Sequence, residues 1–141
     1  MFLDASAVCA VLLNEPDAPG LLKAMEAARG ALRFSPVVRL EATLGLVKER
    51  ARARGHGPAT TEDFAAAEEL VDELLQAVGA QEMHITGSMG REATRALATY
   101  GRIAGHPARL NLGDALSYAC AKGYHVPLLS SAAGFAKTDL A

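Results

Sequence analysis

The chain has 141 residues, half of them apolar, and its 14 Lys and Arg face 16 Asp and Glu for a net charge of -2. That length fits one domain over residues 1–141 with a single core, and no apolar run approaches the roughly 18 residues that span a bilayer. The slightly negative balance excludes binding a polyanion through bulk charge, so any such contact has to come from local basic patches.

The first apolar run, Met1-Phe2-Leu3, stops at Asp4-Ala5-Ser6 and continues as an apolar stretch from Ala7 to Leu13. Continuous apolar sequence ending at an acid predicts a strand buried on both faces, with a helix behind it. Asp4 or Ser6 can cap that helix, or Asp4 can mark the strand exit where open α/β sheets bind ligands, and both readings stand at this point. No basic segment precedes the run and Asp4 interrupts it, so no signal peptide is expected and the chain is placed in the cytoplasm, away from membranes. Cys9 and Cys120 lie in apolar helical stretches without metal-type spacing and read as reduced core thiols. His56, His84, His106 and His125 stand singly, so no zinc site is expected.

Asn14-Glu15-Pro16-Asp17 is a turn that launches a helix through Leu21, Leu22, Met25 and Ala28, ended by Gly30. Residues 31–35 read as a short strand, and Ser35-Pro36 supplies a cap with Pro at the first helical position. The helix from 36 to about 54 carries an apolar stripe of Val37, Leu40, Leu44 and Val47, and Glu41 shares that face. A carboxylate on an inner face is costly unless something compensates it, so Glu41 needs a partner. Lys48, Arg50, Arg52 and Arg54 crowd the far end, where they complement the helix C-terminus or, alternatively, bind phosphate.

After Gly55-His56-Gly57-Pro58, Thr60 or Thr61 caps an amphipathic helix. Phe64, Ala67, Leu70, Val71, Leu74, Leu75 and Val78 are expected inward, with Glu68, Glu69, Asp72 and Glu73 solvated. Gly79 ends it, and residues 82–85 read as a short strand. A helix begun at Thr86 or Ser88 runs to Tyr100 with Met89, Ala93, Leu97 and Tyr100 inward and Arg91 and Arg95 one turn apart. Residues 101–107 are read as loop. Asn111 opens the next helix with Asp114 in its first turn, an ordinary capping arrangement taken alone. Residues 127–129 look like a strand, and 130–140 a loop plus an edge segment. The order β-α-α-β-α-α-β-α-α-β predicts an α/β sandwich with a mostly parallel sheet.

In such a sheet the strand exits share one edge, so Asp4, Glu41 and Asp114 can converge there. Three neighbouring carboxylates do not all stay ionised without a cation, and the hard, oxygen-liganded Mg2+ or Mn2+ is the natural compensation. A phosphotransfer protein also places an Asp after its first strand, but a phosphatase of that kind wants a second Asp where Ser6 stands.

The stretches Leu3-Asp4-Ala5-Ser6-Ala7, Val37-Val38-Arg39-Leu40-Glu41, Leu110-Asn111-Leu112-Gly113-Asp114-Ala115-Leu116 and Phe135-Ala136-Lys137-Thr138-Asp139-Leu140 together resemble the PIN-domain ribonucleases. Within them the chain is most similar to the VapC toxins of bacterial toxin-antitoxin pairs. The resemblance runs from end to end and implies a PIN-like three-layer α/β/α sandwich and a Mg2+-dependent endoribonuclease, with Mn2+ as substitute. It also implies a homodimer held inactive by a VapB-type antitoxin. Carried over, Asp4 and Asp114 would hold the metal, Glu41 would complete the catalytic acids, and Ser6 and Asn111 would orient the carboxylates. Arg50, Arg54, Arg91 and Arg95 are candidate RNA phosphate partners, since arginines at i,i+4 line one helix face. Similar sequences carry an acid immediately before the position of Phe135, where this chain has Gly134. The alternative expectation is therefore a weakened module that binds its antitoxin, and RNA, without efficient cleavage.

Overall fold

Four two-residue strands make one parallel sheet in the computed structural model, which describes residues 1–55 and 57–141. They are β1 (Phe2–Leu3), β2 (Arg33–Phe34), β3 (Gln81–Glu82) and β4 (Leu128–Leu129), in the order β3-β2-β1-β4. The central strand registers Phe2 with Arg33 on one side and Phe2 and Leu3 with Leu128 and Leu129 on the other. Phe2 and Leu3 expose no surface, which explains the absence of polar alternation there.

A helix pair follows each of the first three strands, as the sequence order requires. These are α1 (Ala5–Leu12) and α2 (Ala18–Ala27), α3 (Pro36–Ala53) and α4 (Thr61–Ala77), and α5 (Gly87–Tyr100) and α6 (Leu112–Gly123). Parallel neighbours need a crossover of this length, and the helices bury one apolar stripe each against the sheet or one another. Val8, Met25, Val38, Val71, Tyr118 and Cys120 reach the shared core from five helices. Gly30 and Gly79, which end α2 and α4, take positive φ angles of 86° and 68°, the left-handed conformation that a side chain would strain. No described helix is long and apolar enough to cross a membrane.

The chain visits β1, β2 and β3 in one direction, then returns to add β4 on the other side of β1. That reversal lies between the C-terminal ends of β1 and β4, where Asp4 and Ser130 leave the sheet. In open α/β sheets this is where ligands bind.

Several expected boundaries and faces are corrected. The third strand lies at 81–82, because Met83 N bonds Phe34 O and the chain then leaves the sheet. The segment after Ser130 forms a 3-10 turn (Ala133–Lys137) and no edge strand, and 101–107 contains a second one (Arg102–Ala104). In α3 the buried apolar residues are Val38, Ala42, Leu46 and Val47; Val47 is buried as expected, whereas Val37 and Leu44 are only half-buried and Leu40 is 57% exposed. The helix packs against both α1 and α4, and Glu41 on its third side lies against Gly113 of α6. In α4, Phe64 and Leu70 are exposed while Asp63 is buried. The expectation for His56 lies outside the described residues.

Candidate acidic site

Asp4 is 3% exposed and serves both readings that the sequence left open. It caps α1, its Oδ2 accepting from Ser6 N at 3.0 Å and from Ser6 Oγ at 2.5 Å, and it stands at the strand exit with its own N–H on Leu129 O at 2.9 Å. Both contacts fall on one oxygen, so Oδ1 has no hydrogen bond among the described residues. A carboxylate held this way keeps one oxygen for a ligand while its orientation is fixed by the other.

Asp114 is fixed by the same logic. It sits at the third position of α6, where its N–H donates to Asn111 Oδ1 at 2.9 Å and its Oδ2 accepts from Asn111 N at 2.9 Å. This is a complete capping box. Its Oδ1 is again without a hydrogen bond among the described residues. Burial raises its pKa, the Asn111 N–H opposes that, and the charge on Asp4 adds to the rise.

Glu41 is the acid without a local partner. It is half-buried in α3, and no hydrogen bond or ion pair holds its carboxyl group among the described residues. A Cβ built on Gly113 would fall well inside contact distance of that carboxyl, so the glycine leaves the space in which Glu41 sits against α6. Burial first, then the charges of Asp4 and Asp114, push its pKa up to about 7, and Lys48 works weakly the other way. The three acids are therefore electrostatic neighbours from three separate elements at one end of the sheet. Among the described residues no three acid, His or Cys side chains are closed into a preformed ligand set. The donor chemistry fits a hard divalent cation: carboxylate oxygens left unbonded and an uncompensated third acid.

Below the same site a thiol is inert. Cys9 Sγ contacts Ala42 O at 3.6 Å, and a Cβ on Gly45 would lie 2.8 Å from that sulfur, so α1 and α3 pack closely just behind Glu41. Burial, with Glu15, Asp4 and Glu41, pushes the Cys9 thiol up to about 11, and burial does the same to Cys120. Neither is a nucleophile at neutral pH.

The four arginines divide. Arg50 and Arg54 both bind the carboxylate of Asp63, Arg50 through Nε at 3.3 Å and Arg54 through both terminal nitrogens. Asp63 also closes the α4 capping box with Thr60, and Arg54 holds its carboxyl well below the usual range. The basic end of α3 thus has an internal anion that the sequence reading did not anticipate. Exposed Arg95 pairs with half-buried Glu92 at 3.4 Å, and Arg91, one turn before Arg95, is exposed.

Contacts missed by sequence reasoning complete the site's frame. Ser130 and Ser131 follow β4 and reach Ser6, and Gly134 packs its Cα against the Ala108 carbonyl so closely that any side chain would collide with it. Asp139 is committed elsewhere, accepting from Tyr118 OH at 2.6 Å and Lys122 Nζ at 2.9 Å.

The PIN domain family matches residues 1–140. A VapC ribonuclease of Rhizobium meliloti is 40% identical over 139 residues, covering 99% of this chain and 98% of that protein. Ribonuclease VapC42 and Ribonuclease VapC28 of Mycobacterium tuberculosis are each 35% identical over 140 residues, covering 99% of this chain and 96% and 95% of theirs. With the family pattern matched from the first strand to the last turn, this chain belongs to the PIN domain family.

Proposed function

We propose that the chain is a metal-dependent endoribonuclease that acts as the toxin of a bacterial toxin-antitoxin pair. The observation that carries this reading is the electrostatic coupling of Glu41 to Asp4 and Asp114 at the switch point of the sheet. Its relatives' name as VapC ribonucleases supports RNA as the substrate. Asp4 and Asp114 would hold Mg2+, or Mn2+ in its place, with Glu41 completing the anionic set. When bound, such an ion offsets charge on phosphate oxygens and makes water acidic enough to attack at neutral pH.

The chain's own residues do the positioning. Ser6 holds Oδ2 of Asp4, and Asn111 holds Oδ2 of Asp114, so two carboxylates are oriented before substrate arrives. Asp4 and Asp114 place like charge beside Glu41, which disfavours its ionised form until a cation balances the set. No protein nucleophile is required. Arg91 and Arg95 are the proposed phosphate contacts, whereas Arg50 and Arg54 contribute only as far as Asp63 leaves them free. The partner is a VapB-type antitoxin, the working unit a homodimer and the compartment the cytoplasm.

The test is cleavage of a panel of structured RNAs by the purified chain with Mg2+ or Mn2+, beside Asp4→Asn and the wild type in EDTA. Cutting that is lost in both controls supports the reading. Equal inertness of wild type and Asp4→Asn would leave a binding module of the same fold. Growth arrest on expression, relieved by the cognate antitoxin, tests the partner.

A further inference from the structure

Asp17 lies far from the acids in sequence, yet a continuous set of hydrogen bonds ties it to Asp4. Ser131 Oγ donates to Asp17 Oδ2 at 2.5 Å, Ser131 N donates to Ser6 Oγ at 3.1 Å, and Ser6 Oγ meets Asp4 Oδ2 at 2.5 Å. Ser130 Oγ joins from the side at 2.9 Å from Ser6 Oγ, and it accepts from Ala132 N at 2.9 Å.

Counting protons assigns every direction. A carboxylate only accepts, so the single Ser6 hydroxyl proton goes to Asp4. The two lone pairs of Ser6 Oγ then take the Ser131 N–H and the Ser130 hydroxyl, which fills its capacity. Ser130 must be the donor of that pair. Ser6 therefore has one orientation while the 130–132 turn stays in place, and the free oxygen of Asp4 has one direction with it.

The bonds to Ser6 tie the turn from its inner side, and the exposed carboxylate of Asp17 ties it from the outer one. Asp17 precedes α2 as its N-cap residue, but its side chain makes no capping bond there. Its carboxylate instead accepts from Ser131, across 114 residues of sequence.

We propose that Asp17 is a positioning residue for Asp4, acting through Ser131 and Ser6. It pins the turn after β4 against the end of β1 and so fixes the direction of the acid that faces the ligand. The activity and Mn2+ readouts rest on the metal-dependent ribonuclease reading, whereas the Asp4 carboxyl shift in metal-free protein does not.

The experiment compares the full-length wild type with Asp17→Ala, Ser131→Ala, the double variant and Asp17→Asn. Three quantities are read: affinity for Mn2+ by electron paramagnetic resonance, kcat and KM on a cleaved RNA, and the 13C shift of the Asp4 carboxyl group in metal-free protein. Outer-shell partners of metal ligands cost about 10-fold or more in affinity or activity when removed. Asp17→Ala and Ser131→Ala are each expected to weaken Mn2+ binding and kcat by about that factor, with KM nearly unchanged and the Asp4 carboxyl shift moved. The double variant is expected to be no worse than either single one. Asp17→Asn keeps an accepting oxygen and is expected to restore wild-type behaviour. Wild-type affinity and an unmoved Asp4 shift in Asp17→Ala overturn the proposal, as do multiplied losses in the double variant. If the wild type cuts no RNA the ribonuclease reading fails, while the Asp4 carboxyl shift still decides the role of Asp17.

Discussion

The Glu41 carboxyl group occupies the space that a side chain on Gly113 would fill. Gly113→Ala therefore sets two effects against each other. Alanine in a helix gains about 1 kcal/mol over glycine, and overpacking a tight contact costs about 1–3 kcal/mol, so the melting temperature should fall only modestly. Activity should fall much further, because a misplaced catalytic group costs on the order of 100-fold. Thermal melts beside kcat measurements on Gly113→Ala check this; a variant with full activity would show that Glu41 need not lie against α6.

The pH response of the metal-free protein follows from the same carboxyl group. Glu41 is raised from an ordinary 4.5 to about 7, so folding favours its protonated form. That contribution is complete below the unfolded value and is lost as pH rises through the folded one. In EDTA the melting temperature should therefore decline between about pH 5 and pH 8, and Glu41→Gln should flatten the decline. Saturating Mn2+ should reverse it. Scanning fluorimetry across that range reads all three, and an unchanged slope in Glu41→Gln would assign the decline to other groups.

Asp63 shows the opposite sign. Arg54 and the Thr60 N–H hold it ionised far into acid, so the stability it contributes persists at neutral pH and is lost only below the usual carboxylate range. Asp63→Asn should lower the melting temperature at pH 7 and remove part of the acid-limb loss. Arg50→Ala and Arg54→Ala should follow it in stability. Arg91→Ala and Arg95→Ala should leave stability nearly alone and each reduce the salt slope of RNA binding by about 1 if it contacts a phosphate. Titrations of binding against salt, beside melts of the same four variants, separate the two pairs.

Restoring an acid before Phe135 should fail. A side chain at Gly134 meets the Ala108 carbonyl, so Gly134→Asp is expected to cost about 1–3 kcal/mol and to gain no activity. Denaturant unfolding with cleavage assays tests it; a stable variant with increased turnover would show that this backbone accepts the missing carboxylate.

The legible parts of this molecule were those set by short-range chemistry. Phe2-Leu3 before Asp4, Ser35-Pro36, Thr60, and Asn111 with Asp114 each announce a strand exit or a cap, and the helix-pair order follows from them. The inward face of α3 was misread over its first three turns because Val37 and Val38 are equally apolar, and only contact with α1 and α4 chooses between them, while Val47 was read correctly. The polar frame was hidden for a related reason. Asp17, Ser130 and Ser131 look like ordinary turn residues, and Asp63 like an ordinary first-turn acid, until the fold brings distant partners to them. Gly113 carried a readable hint, a glycine inside the first helical turn beside an acid, but its reason lies in Glu41 on another helix.

The most direct measurement is an anomalous-difference map of a Mn2+-soaked crystal. The account predicts a peak bound by Oδ1 of Asp4 and Oδ1 of Asp114, with the Glu41 carboxyl beside it directly or through water. A well-occupied peak on other residues, or no peak there at saturating Mn2+, would contradict it.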